Sequence, residues 1–183
     1  MTWPRLLSSD VAEVRHLYLL RHAKSTWDEP VASDHDRSLA PRGRRAARLV
    51  ADHLREAQIA PALVLCSSAR RTQETLELIT PALEPAPVVV VERRLYGASA
   101  GELLDRVHDI SDSVPSVMVV GHNPGLEDLA TALAGGGTGD ASDRMAVKFP
   151  TAALAVLTAT TVWRDLAPGG ATLAAYVVPR DLG

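Results

Sequence analysis

From about His16 onward the chain alternates short β-rich runs with longer stretches of helical periodicity, and no other feature constrains its fold as tightly. HLYLLR (His16–Arg21), ALVLC (Ala62–Cys66), PVVVVE (Pro87–Glu92) and SVMVVG (Ser116–Gly121) read as buried strands. Between and after them come helical stretches. Pro41 stands where a first helical turn tolerates it, ahead of RGRRAARLVADHLREAQ. RRTQETLELIT follows a Ser-Ser cap, AGELLDRVHDI runs from Ala100 to Ile110, and LEDLATALA follows the fourth strand. The alternation predicts a single three-layer α/β domain with a mainly parallel twisted sheet of five or six strands. Helices cover both faces through right-handed crossovers. AGGGTGDASD (Ala134–Asp143) reads as a surface loop. RMAVKFP, ALAVLTATTVWRDL and ATLAAYVVP read as strand-rich segments that complete or edge the sheet.

A length of 183 residues suits one domain over 1–183, with 1–14 as an N-terminal extension and a monomer as the default state. Aromatics are only 4%, so the core must be built from Ala, Val and Leu. A net charge of −3 argues against a nucleic-acid partner but leaves room for a local basic pocket. Cys66 is the only cysteine, which excludes an intramolecular disulfide and fits a reducing compartment. No apolar run reaches the ~20 residues needed to span a bilayer, and the first residues lack the layout of a signal peptide. The expected location is the cytoplasm, with no membrane partner.

In a sheet of this kind ligands bind beyond the carboxyl ends of the strands. The first strand ends in Arg21-His22, the second leads into Arg70-Arg71 at a helix start, and the fourth ends in Gly121-His122-Asn123-Pro124. If these strands are parallel neighbours, two histidines and an arginine meet at one rim. Such a set suits phosphate. Arginine offers a planar fork that matches phosphate oxygens, and a helix N-terminus adds free N–H groups. A neutral imidazole can attack phosphorus while a second, protonated one stabilises charge on the oxygens. No metal or other cofactor is required.

These residues resemble a known family. Arg21-His22-Ala23-Lys24-Ser25-Thr26-Trp27-Asp28 resembles the opening Arg-His-Gly motif of the histidine phosphatase (phosphoglycerate mutase-like) superfamily. Ser67-Ser68-Ala69-Arg70-Arg71-Thr72-Gln73-Glu74-Thr75 resembles its second motif and Gly121-His122-Asn123-Pro124-Gly125 its third. The compact size, the Asp-rich loop and the GHNPGLE form look most like the SixA branch, the phosphohistidine phosphatases. The resemblance implies a phosphoglycerate mutase-like fold and a metal-independent phosphatase acting through a phosphohistidine on His22. It implies that Arg21 and Arg71 hold the phosphoryl oxygens, with His122 as the second pocket histidine. Arg70 is the weaker arginine, because Arg71 has the family's spacing to Thr72 and Thr75. Ser25, Asp28 and Asn123 become substrate-binding candidates. The implied partner is a phosphorylated substrate, with a phosphohistidine protein as the leading case.

Two departures stand out. Ala23 replaces the family glycine, and the segment Glu92–Gly97 matches the usual general-acid pattern poorly. Glu92 and Glu127 are the acid candidates, with Asp28 behind them. The SixA branch is itself regarded as lacking the usual acid, and a phosphoramidate needs less help than an alkyl phosphate. A small-molecule phosphomonoesterase of the same superfamily is the alternative, and a non-catalytic phosphate- or phosphoprotein-binding module is the rival from another class. Simpler readings cover other features. Asp34-His35-Asp36-Arg37 reads as a solvated, self-paired loop that borders the pocket without a catalytic part. GGGTG lacks the Lys-Ser/Thr ending of a nucleotide loop. Arg42, Arg44, Arg45 and Arg48 read as a solvated helix face. His16, His53 and His108 read as structural or exposed, and Cys66 as a small apolar core residue.

Overall fold

The computed structural model describes residues 13–28, 30, 33–137 and 139–183, so most of the proposed N-terminal extension lies outside the described residues. In chain order the elements are β1 (Arg15–Arg21), α1 (Pro41–Glu56), β2 (Leu63–Ser67), α2 (Arg70–Ile79), β3 (Val88–Glu92), α3 (Ala100–His108) and β4 (Ser116–Gly121). Then follow α4 (Gly125–Leu133), β5 (Ala134–Gly137), α5 (Ala141–Val147), β6 (Leu154–Ala159) and β7 (Ala171–Val177). The seven strands form one sheet in the order β3-β2-β4-β1-β6-β7-β5. β6 pairs antiparallel with both β1 and β7, while every other pairing is parallel, so six strands share one direction. The expected three-layer α/β fold is the one observed.

Alternation along the strands builds the two cores. Leu17 and Leu19 of β1, Leu65 of β2 and Val117 and Val119 of β4 face α3 and α4, where Leu103, Val107, Leu126 and Leu129 meet them. Tyr18, Leu20, Val64, Cys66, Met118 and Val120 point the other way, onto Ala47, Val50, Leu54, Leu76 and Ile79 of α1 and α2. β1 and β4 are buried on both faces, which is why their sequences read as continuous apolar runs. The chain moves outward from β1 to β2 to β3, then returns to insert β4 between β2 and β1. That reversal is the switch point where α/β sheets open a crevice at their carboxyl ends.

The carboxyl-terminal third departs from the sequence reading in three ways. The sheet has seven strands, not five or six. The extra one is β5, inside the segment expected to be a surface loop. There a Cβ on Gly135 would lie 2.1 Å from the Gly169 carbonyl oxygen, so only glycine lets the two chains approach. RMAVKFP was expected to be strand-like, but its first four residues end α5, because Ala141 and Met145, four apart, both reach the core. β6 and β7 do complete the sheet as expected. Among the described residues no helix is long and apolar enough to cross a membrane.

Candidate active site

β1, β2 and β4 lie side by side and parallel, so their carboxyl ends deliver Arg21-His22, Ser67 and His122 to one rim. The His22 amide continues the β1–β4 ladder, donating to the Gly121 carbonyl at 3.0 Å. The His22 and His122 rings stand 5.1 Å apart between centroids, tilted by 55°. Arg71, in the first turn of α2, reaches both of them. Its Nε donates to His22 Nε2 at 3.3 Å, and its NH2 lies 3.4 Å from His122 Nδ1. All three side chains are buried. The neighbouring Arg70 is exposed and pairs with Glu74. The sheet thus brings together the four residues that the sequence singled out for chemistry.

The hydrogen bonds fix the state of each ring. His22 Nδ1 lies 2.7 Å from the Ala23 carbonyl oxygen, which can only accept, so Nδ1 carries the proton. Nε2 therefore holds the free lone pair, turned toward Arg71. Burial pushes the His22 imidazole down to about 3, and His122, Arg71 and Arg21 push in the same direction. His122 is held down to about 4, by burial first and by Arg71 next. Its Nδ1 faces the Arg71 donor, so its proton sits on Nε2, 2.8 Å from Ser67 Oγ. The second histidine was expected to be protonated. In the free protein it is neutral, because the low-dielectric pocket and the adjacent guanidinium disfavour a further cation.

The second motif locks this rim in place. Thr72 Oγ1 donates to the Ser67 and Ala69 carbonyls at 2.7 and 2.6 Å. Thr75 Oγ1 donates to the Arg71 carbonyl and accepts from the Ala23 amide at 3.0 Å, tying the first motif to the second. Ala23 is fully buried and is not among the residues of positive φ, so this loop needs no glycine there. Gly125 of the third motif does meet a steric demand. A Cβ there would lie 2.0 Å from the Ala98 carbonyl oxygen, so glycine lets the 96–98 loop close over His122.

That loop brings Tyr96, which the sequence reading missed. Its ring meets His122 edge-on at 5.4 Å, and its hydroxyl donates to Asp34 Oδ2 at 2.9 Å. Asp34 in turn accepts from Arg71 NH2 at 3.0 Å through the same oxygen, while its carbonyl accepts from Arg71 NH1 at 2.7 Å. The Asp34–Arg37 run is therefore no bystander. It folds back so that one carboxylate occupies the guanidinium that faces both histidines. Arg37 and Tyr96 bonds hold that carboxyl down to about 2. Ser67, under His122, was also missed. It stands at a strand end, which is the signal that would have found it.

The remaining candidates are placed as follows. Arg21 NH1 donates to the Phe149 carbonyl at 2.7 Å, and its buried Nε has no partner among the described residues. Asn123 Nδ2 donates to the same carbonyl and to Glu127 Oε2, at 3.0 and 2.6 Å. Ser25 is buried and its Oγ accepts from Arg37 at 2.5 Å. Asp28 is exposed and engaged with Thr26, with no bond into the cluster. Glu92 turns toward α3, where Arg106 donates to both of its oxygens and Arg94 adds a further bond. Burial alone would raise its carboxyl, but these arginines outweigh it and hold it below the usual range. Cys66 is inaccessible and burial pushes its thiol up to about 12, which leaves no thiolate to act. Among the described residues no three of His, Cys, Asp and Glu are arranged to hold a metal ion.

Comparison with known proteins shows the family and the fold. The family model for the histidine phosphatase superfamily (branch 1) matches residues 17–146. The uncharacterized Mycobacterium tuberculosis protein Rv1276c is 42% identical over 163 residues, covering 88% of this chain and all of the relative. A structure from Nakamurella multipartitia, assigned by name to the SixA phosphohistidine phosphatases, superposes with a TM-score of 0.77. It is 32% identical and covers 91% of this chain and 96% of its own. A protein histidine phosphatase SixA complexed with tungstate superposes with a TM-score of 0.73 at 25% identity, covering 92% and 99%.

Proposed function

The chain belongs to the histidine phosphatase superfamily, and on that premise we propose that it hydrolyses phosphohistidine on a protein substrate, with His22 as the nucleophile. The observation that carries this reading is the His22 ring. Its proton is parked on Nδ1 by the Ala23 carbonyl, and its Nε2 lone pair faces the guanidinium of Arg71. An imidazole in that state attacks phosphorus without first losing a proton.

The reaction has two steps. His22 Nε2 forms a bond to phosphorus as the bond to the substrate's imidazole nitrogen breaks in line. If the leaving imidazole already carries a proton on its other nitrogen, it departs as a neutral ring. Water then attacks the phosphoryl group on His22, releasing phosphate, returning the ring to neutral and giving one proton to solvent. Arg21 Nε, buried without a partner, supplies a free donor for a phosphoryl oxygen. Arg71 supplies a second once the phosphoryl group displaces Asp34. A dianion beside His122 favours its protonation, so the second histidine gains its charge when the substrate arrives. Positioning and charge stabilisation then provide most of the acceleration.

Among the described residues the candidate acids are all engaged, which supports a phosphoramidate over an alkyl phosphate. Glu92 is committed to arginines, Glu127 to Asn123, and Asp34 is held ionised. None of them is set to protonate an alkoxide, and neutral imidazole needs no such help. The test uses purified protein in the presence of a chelator, with a phosphohistidine protein and p-nitrophenyl phosphate as substrates, beside His22→Ala. Turnover of both that depends on His22, with phosphohistidine strongly preferred, is the expected result. Turnover of the aryl ester alone would keep the mechanism and remove the substrate. Failure of both would leave a phosphate-binding module.

A further inference from the structure

Beside the phosphoryl pocket lies a second cavity that the chemistry above does not use. It encloses about 610 Å³ between the start of α1, the end of α5 and the chain leaving β7. That volume falls in the range of cavities that hold organic groups. Its place follows from strand register. Val177 stands opposite Leu154, and Leu154 opposite Leu20. Val178 and Pro179, which line the cavity, are therefore level with Arg21 and His22. Two strand spacings of ~4.8 Å separate them, so this wall is on the order of 10 Å from the end of β1. Lys24 lines the cavity two residues after His22. Thr151 lines it beside Ala152, whose amide donates to the His22 carbonyl at 3.1 Å. Cavity and pocket thus share a wall.

Its charge is one-sided. Lys24, Arg42, Arg144, Lys148 and Arg180 line it and, among the described residues, no acidic one does, in a chain whose net charge is −3. Arg144 and Arg180 share Asp181, which leaves Lys24, Arg42 and Lys148 without an ion pair among the described residues. Between these cations the walls are apolar. Val147 is 85% exposed at the rim, with Ala46 and Val178 inside. A cationic rim around apolar walls is complementary to an acidic surface that also offers a hydrophobic side chain.

We infer that this cavity docks an acidic, partly apolar segment of the phosphohistidine protein while His22 receives its phosphoryl group. The inference rests on the protein-substrate reading given above. Docking here holds the substrate by a surface that a small phosphate ester never touches.

The test uses Arg42→Glu/Lys148→Glu, two exposed positions outside the phosphoryl pocket. Arg42 lies in the first turn of α1, where a Glu side chain is favoured by the helix dipole, so the variant keeps its fold. Turnover of the phosphohistidine protein and of p-nitrophenyl phosphate is compared with wild type. Fluorescence anisotropy of a labelled Glu- and Leu-rich peptide is measured alongside. The expected result is a rise of about tenfold or more in KM for the protein substrate with aryl phosphate kinetics unchanged, narrowing as salt shortens the Debye length. The peptide binds wild type and not the variant. An unchanged KM for the protein, or equal peptide binding, overturns docking at this cavity. If wild type turns over only the aryl ester, the protein-substrate reading falls. Anisotropy then decides alone: binding lost in the variant keeps the cavity as a site for acidic segments, and equal or no binding removes it.

Discussion

Two cationic regions stand next to each other at the carboxyl rim of the sheet, and they treat charge in opposite ways. In the phosphoryl pocket Arg71 is only 7% exposed, and each of its three nitrogens has a partner in His22, His122 or Asp34. In the neighbouring cavity Lys24, Arg42 and Lys148 carry no such partners among the described residues. Burial explains the contrast. A desolvated guanidinium costs several kcal/mol unless it is paired, and it acts strongly over a short range with little screening. A solvated ammonium costs nothing to leave unpaired, but each one contributes little and salt weakens it. The pocket can therefore orient one phosphoryl group, whereas the cavity can only recruit a surface. Substrate size separates the two roles.

The largest effects should come from the buried region and ignore substrate size. His22→Ala removes the atom proposed to attack phosphorus and should lower kcat on any substrate by at least ~10³-fold. Arg71→Ala should cost about 10²–10³-fold on both substrates, the range seen when one preorganised donor is removed. Steady-state kinetics with p-nitrophenyl phosphate check both. An Arg71→Ala enzyme within tenfold of wild type on the aryl ester would erase the distinction between pocket and cavity.

Burial should also appear as a pH dependence of stability. Both pocket histidines have their affinity for protons lowered, to about 3 and about 4, against about 6.5 in the unfolded chain. Between those limits the unfolded state binds more protons, so stability falls as pH drops below about 6.5. Each histidine contributes up to about 1.4 kcal/mol per pH unit, or about 3 kcal/mol for the pair. The lowered carboxyls of Asp34 and Glu92 add their losses only nearer pH 4, so the interval from pH 6 to 5 isolates the histidines. Urea unfolding should show this slope cut by about half in His22→Ala. A slope unchanged by that substitution would mean that His22 is solvated, as the cavity cations are.

The sequence exposed the parts of this site that follow directly from strands. Arg21-His22, Arg71 and His122 each stand just beyond a strand end or in the helix turn that follows one. Parallel pairing of β1, β4 and β2 then sufficed to bring them together. Asp34 was illegible for the opposite reason. It lies in a charged run that looks self-paired, and indeed it pairs with Arg37, but its second oxygen crosses 37 positions to Arg71. Nothing local encodes that return. Tyr96 was hidden in a segment searched for a carboxylate, where the nearby Glu92 is captured by Arg106 of α3. The misread β5 and α5 share one cause. Glycine weakens a strand on average and a short apolar run fits either element, so only tertiary packing decides.

The smallest effect to resolve concerns Asp34, the carboxylate that pairs with Arg71 beside the two histidines. Its carboxylate occupies Arg71 NH2, a donor that the proposed reaction assigns to a phosphoryl oxygen, so on that reading binding displaces it. It also repels the incoming charge. Against this, its backbone carbonyl and Tyr96 hold Arg71 and the loop in place, so the residue has a positioning part as well. Asp34→Asn keeps the backbone bond and an oxygen for Tyr96 while removing the charge, which separates the two contributions. If displacement dominates, inorganic phosphate should inhibit Asp34→Asn about three- to tenfold more tightly than wild type, equivalent to about 1 kcal/mol. If positioning dominates, inhibition should weaken and kcat should fall with it. Inhibition by phosphate against p-nitrophenyl phosphate reads the sign directly. Tighter inhibition makes Asp34 a stand-in for the substrate's own charge, held where the buried region demands a partner and absent from the cavity that does not.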